Sequence, residues 1–145
     1  MIENEITVLI VEQDKAPQVV TIENTLEAKQ HIVGGRIECM NIGDDEAVII
    51  INEEGKFYSI PNRDLYLNDV YPDEDKKKFD CVYGTFLIVG DDFKNADFRS
   101  LTDSEITKYT ERFQEREYIE DYSVSSSEGK QLIKEEQSSS YELEF

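Results

Sequence analysis

Ile6-Thr7-Val8-Leu9-Ile10-Val11 is the stretch that sets the fold class. It is almost continuously apolar and β-branched, the pattern of a strand buried on both faces. Gln13-Asp14-Lys15-Ala16-Pro17 reads as a turn, and Gln18-Val19-Val20-Thr21-Ile22 returns as the second strand of a hairpin. Two further apolar runs follow, Arg36-Ile37-Glu38-Cys39-Met40-Asn41-Ile42 and Glu46-Ala47-Val48-Ile49-Ile50-Ile51. Asn52-Glu53-Glu54-Gly55-Lys56 has the composition of a hairpin turn with Gly55 at positive φ, which makes Phe57-Tyr58-Ser59-Ile60 the fifth strand. Tyr83-Gly84-Thr85-Phe86-Leu87-Ile88-Val89 is the last strand, stopped by Gly90-Asp91-Asp92.

Helices fill the gaps. Asn24-Thr25-Leu26-Glu27 reads as a capping box with Asn24 as the cap, opening a helix that runs to about Val33 and ends at a left-handed Gly34. Thr102 and Glu105 form a second capping box, with Leu101 and Ile106 at the positions of a hydrophobic staple. Ile106, Tyr109 and Phe113 then make one apolar stripe. Residues 61–82 are mostly polar, carry Pro61 and Pro72, and read as a long loop. From about Tyr122 the chain is rich in Ser, Glu and Gln and cannot bury enough apolar area to offset its ordering entropy. The expectation is α+β: one globular domain over residues 1–116, with a largely antiparallel sheet of five or six strands and two principal helices. A disordered, acidic Ser/Glu-rich C-terminal tail is expected over residues 117–145. The expected core contains Val8, Ile10, Val48, Ile50, Phe86, Ile88, Ile106 and Phe113.

Charge bears most on function. The 145 residues hold 33 acidic and 15 basic side chains, a net of −18. Residues 1–114 carry 24 and 12 of these, so the folded part itself is at −12. Such a surface repels nucleic acid and anionic lipid and favours basic partners or high solubility. No direct nucleic-acid binding and no membrane partner are expected. No run is long enough to span a bilayer, and the acidic start Met1-Ile2-Glu3-Asn4-Glu5 is unlike a signal peptide, which points to the cytoplasm.

Catalytic patterns are missing. There is no nucleophile-elbow motif and no phosphate-binding glycine loop with its lysine. His31 is the only histidine and sits near a helix C-terminus, where a structural or surface role suffices. Cys39 and Cys81 match no zinc spacing and read as two buried, reduced thiols. The acidic clusters match no EF-hand or other ligand spacing, so no metal and no cofactor is expected. Lys76-Lys77-Lys78 is compensated by its acidic neighbours. Tyr141 and Phe145 fit a short peptide motif or an inert tail equally well.

The order of several short segments carries a resemblance. Val8-Leu9-Ile10-Val11-Glu12, Glu23-Asn24-Thr25-Leu26 and Ile32-Val33-Gly34-Gly35-Arg36-Ile37-Glu38 come first. Asn52-Glu53-Glu54-Gly55-Lys56, Pro61-Asn62-Arg63, Gly84-Thr85-Phe86 and Leu101 follow. Over about residues 6–113 the chain resembles a small uncharacterised domain family, a domain of unknown function carried on conjugative elements, plasmids and phages of Gram-positive bacteria. The resemblance implies a mobile-element context, in which genes that disarm host defence are common, and it implies no catalytic residues.

Charge and context together suggest an anti-defence protein, not an enzyme. It would inhibit a host nucleic-acid-targeting system, a CRISPR effector or a restriction enzyme, as an acidic nucleic-acid mimic. Duplex DNA carries one charge per roughly 1.7 Å, so 18 net charges match about 30 Å of duplex. The partner would be a basic host protein or nucleoprotein complex; the oligomeric state is left open. The candidate surface is Asp44, Asp45, Glu46, Glu53, Glu54, Asp73, Glu74, Asp75, Asp91 and Asp92, all expected in turns. The alternatives are a nucleotide or other small-molecule binder using Arg36, Lys56 and Arg63, and a protein-binding accessory module of plasmid transfer or maintenance.

Overall fold

A computed structural model describes residues 4–114; the expected tail, with Tyr141 and Phe145, lies outside the described residues. In chain order the elements are β1 (Glu5–Val11), β2 (Gln18–Glu23), α1 (Leu26–Val33), β3 (Ile37–Ile42) and β4 (Ala47–Asn52). Then come α2 (Gly55–Tyr58), β5 (Pro61–Tyr66), α3 (Leu67–Val70), β6 (Lys78–Tyr83) and β7 (Phe86–Asp92). A 3-10 turn (Phe93–Asn95), β8 (Asp97–Arg99) and α4 (Asp103–Arg112) complete the domain.

The expected α+β class holds, and every strand pair is antiparallel. The main sheet has six strands in the order β2-β1-β7-β4-β3, with β8 also on β7. Ile88 of β7 faces Leu9 of β1 on one edge and Ile49 of β4 on the other, which makes β7 central. The continuous apolar runs are explained by this position: alternate residues of one strand feed opposite cores. Ile6, Val8, Val48, Ile50, Leu87 and Val89 lie under α1 with Val33. Leu9, Val11, Ile49, Phe86 and Ile88 face a second layer built from β5, β6 and α4. In that layer Phe113 is fully buried and meets Phe86 edge-on, with ring centroids 5.6 Å apart.

Six of the eight expected core residues are buried; Ile10 and Ile106 are only partly buried, at the margins of the two cores. The Thr102–Glu105 capping box forms as read, and α1 ends at Gly34 with φ +88°. Among the described residues no helix is long and apolar enough to cross a membrane.

Five local expectations are corrected. The cap of α1 is Thr25, whose Oγ1 accepts from Ala28 N at 3.1 Å, whereas Asn24 turns to Asp97 and Lys29. A tertiary partner on β8 thus claims the residue that local pattern assigned to the cap. Phe57-Tyr58-Ser59-Ile60 is not a strand: residues 55–58 form the single turn α2, and Phe57 and Tyr58 are exposed. Gly55 does not take positive φ; it is needed because a Cβ there would stand 2.8 Å from Tyr83 O. The 61–82 stretch contains β5 and β6, paired as a separate two-stranded sheet, as well as α3. Finally, β7 continues through Gly90-Asp91-Asp92, because β8 returns to pair with those residues.

Candidate functional site

Eight of the ten acidic candidates gather around the turn between β3 and β4. Gly43, Asp44 and Asp45 all have positive φ (+61°, +56° and +71°), a conformation that short polar side chains tolerate best among non-glycine residues. The turn is hung on α3: Gly43 N donates to Asp69 O at 2.8 Å and Asp44 N to Val70 O at 2.9 Å. Behind it, Glu46 accepts from Tyr109 Oη at 2.6 Å and Lys108 Nζ at 2.8 Å. Burial, reinforced by the Glu46 carboxylate, pushes the Tyr109 phenol far above its ordinary pKa, so it remains a donor.

Asp91 and Asp92 reach the same end along β7, in a strand and not in the expected turn. Asp91 N donates to Glu46 O at 3.2 Å, and its carboxylate accepts from Asn41 at 2.8 Å. Asp92 accepts from Asn95 at 2.9 Å. Asp73, Glu74 and Asp75 follow α3 after Tyr71 and Pro72 and are exposed, like Asp44 and Asp45. Hydrogen bonds between α3 and the 43–44 turn therefore bring two exposed acidic segments to one end of the domain. Glu53 and Glu54 do not join them: they lie beyond the far end of β4, whose six residues span about 20 Å.

Two ion pairs stiffen this end from behind. Arg99 forks onto Glu105 at 2.9 and 3.0 Å and also donates to Glu46 O and Asp91 O. Burial alone would raise the Glu105 carboxyl; the hydrogen bonds from Arg99 and Thr102 outweigh it and hold the pKa below the usual carboxylate value. Arg112 forks onto Asp69, with Nη2 to Oδ2 at 2.8 Å. These carboxylates orient the backbone and are spent internally.

The three cations expected for a ligand site do not converge. Arg63 is fully buried and donates to Phe113 O at 2.9 Å, Lys15 O at 2.7 Å and Asn62 Oδ1 at 2.6 Å, a structural role. Lys56 is exposed beside Asp80, and Arg36 beside Glu53. Sequence reasoning missed a different cationic group: Lys76, Lys108 and Arg112 line a cleft of about 300 Å³ between α3 and α4. The spacing of Lys108 and Arg112, four apart on one helix face, was a usable signal. No signal placed Lys76 beside them, because the strands that flank its segment were unread.

Among the described residues no three His, Cys, Asp or Glu side chains are arranged to hold a metal ion. His31 is exposed in the last turn of α1. Cys39 is exposed on β3 and Cys81 partly buried on β6, which corrects the expectation of two buried thiols. Burial, with Asp64 nearby, pushes the Cys81 thiol up to about 12, so it is a poor nucleophile.

Fold and surface together define an antiparallel α+β domain with one acid-rich end. Residues 6–114 match the family model of DUF3846, a domain of unknown function, and the chain belongs to that family. No curated protein and no solved structure shows significant similarity to it.

Proposed function

We propose that this is a cytoplasmic anti-defence protein of a mobile element or phage, acting by binding and not by catalysis. Its target is a host enzyme that handles nucleic acid, a CRISPR effector or a restriction enzyme. The acidic end occupies that enzyme's basic channel in place of the nucleic acid. One observation carries the reading: Asp44, Asp45, Asp73, Glu74 and Asp75 are exposed on two hydrogen-bonded segments at the same end of the domain. Such a surface steers a basic partner over roughly a Debye length, about 8 Å at physiological salt. A mobile-element setting agrees with the family resemblance drawn from the segment order.

The test starts with capture of host proteins after nuclease treatment, followed by binding kinetics on the captured enzyme. Association should slow steeply with added salt, and pre-loaded DNA should block binding. Substituting Asn at Asp44, Asp45, Asp73 and Asp75 together should slow association at least about tenfold while leaving dissociation nearly unchanged. Glu53→Gln with Glu54→Gln, at the opposite end, is the internal control and should do little. Salt-insensitive binding, or a ternary complex of protein, enzyme and DNA, would exclude mimicry.

A further inference from the structure

We infer that the cleft between α3 and α4 binds a small phosphomonoester with a compact organic body. Its volume of about 300 Å³ is at the lower end of the range for small-molecule sites, roughly 300–1,000 Å³. Lys108 and Arg112 enter it from one face of α4. Lys76 enters from the segment after α3, with Nζ 4.8 Å above the centre of the Tyr66 ring. The Arg112 guanidinium lies 5.3 Å from the same ring, so one aromatic side chain holds two of the three cations in place.

Local charge favours an anion despite the net −18 of the chain. Lys108 is neutralised by Glu46 and Arg112 by Asp69, whereas Lys76 has no carboxylate within ion-pair distance among the described residues, contrary to the compensation expected from Asp73 to Asp75. The cleft therefore keeps one uncompensated positive charge, and the ammonium groups of Lys76 and Lys108 offer further donors to phosphate oxygens. Gly43, Pro72 and the Tyr109 ring supply uncharged wall for an organic body. Gly43 is required there: a Cβ would stand 2.1 Å from Tyr109 Oη. Asp44 and Asp45 follow Gly43, and the 73–75 carboxylates follow Pro72, so the rim is acidic. That rim repels a polyanion more strongly than a single phosphate group, because the repulsion grows with the charge of the ligand. The site does not depend on the docking role proposed for those rim residues.

Isothermal titration of the full chain at fixed ionic strength tests the site, with phenyl phosphate, adenosine monophosphate, inorganic phosphate and adenosine as probes. The two organic phosphates should bind, more tightly than inorganic phosphate, and adenosine should not. Lys76→Gln with Lys108→Gln should weaken binding at least about tenfold. The unfolding midpoint without ligand should stay unchanged, since both lysines are exposed. Were the double variant destabilised, Lys76→Gln alone carries the test, because it breaks no ion pair. Absence of binding at millimolar concentration, or unaltered affinity in the Lys76 variant, would overturn the site. Inorganic phosphate binding as tightly as phenyl phosphate would overturn the organic body, and adenosine binding like its monophosphate would overturn the role of the cations.

Discussion

The two sheets of this domain are held by different physics. In the main sheet the buried positions of β1, β4 and β7 are aliphatic or aromatic almost without exception, and stability comes from apolar area removed from water. In the small sheet β5 buries Asn62, Arg63 and Asp64 in succession. Asn62 Nδ2 donates to Val11 O at 3.0 Å and Gly84 O at 2.8 Å, tying β5 to β1 and to the turn before β7. Arg63 ties it to α4 and to the β1–β2 turn, and Lys78 pairs with Asp64 at 3.3 Å. The main sheet can therefore tolerate apolar side chains of the right volume, whereas the small sheet requires particular donors at particular angles.

Phe113→Ala strikes the joint between the two and should have the largest effect. It removes a fully buried ring that packs on Phe86, and its carbonyl is the acceptor for Arg63 Nε. A loss of about 3–5 kcal/mol is expected in denaturant unfolding. A loss under about 1 kcal/mol would mean that the second layer contributes little to the core.

A pair of conservative exchanges separates the two regimes. Arg63→Lys keeps the charge but cannot reproduce the fork that reaches Phe113, Lys15 and Asn62, so buried acceptors lose partners. It should cost about 2 kcal/mol or more. Leu87→Met, at an equally buried position of β7, should cost less than about 1.5 kcal/mol. Equal costs in the same unfolding assay would erase the distinction between the sheets.

Smaller effects come from α4, which closes the second layer. Thr102→Ala removes the cap that accepts from Glu105 N at 3.1 Å and should cost about 1 kcal/mol. The Glu105 pKa is held below its ordinary 4.5, so its contribution is fully present above about pH 4.5 and is lost as pH falls through the lowered value. Unfolding free energy should therefore fall as the pH is lowered through that range, and Glu105→Gln should flatten that dependence. Arg99 is about a third exposed, so solvent screens the pair and this effect should be the smallest.

What was legible at the outset follows the same division. Strands β1 to β4 and β7 were readable because apolar periodicity is written in consecutive residues, and the α4 cap because its partners are three apart. Strand β5 was not readable: Pro61-Asn62-Arg63-Asp64 has the composition of a loop, and only partners 22 to 51 residues away make its burial affordable. The acidic end was half legible. The residue types were plain, yet nothing local distinguished Asp44 and Asp73, which share one end, from Glu53, which lies at the other.

The sequence by itself determined the class of the fold, its two principal helices and its charge, because each is a property of composition or of contacts within a few residues. Tertiary structure alone decided the second sheet, the buried role of Arg63, the split of the acidic residues between two ends, and the meeting of Lys76 with Lys108 and Arg112. The physical reason is that hydrogen bonds and charges act through space. Which groups meet is set only once the apolar strands have brought distant segments together.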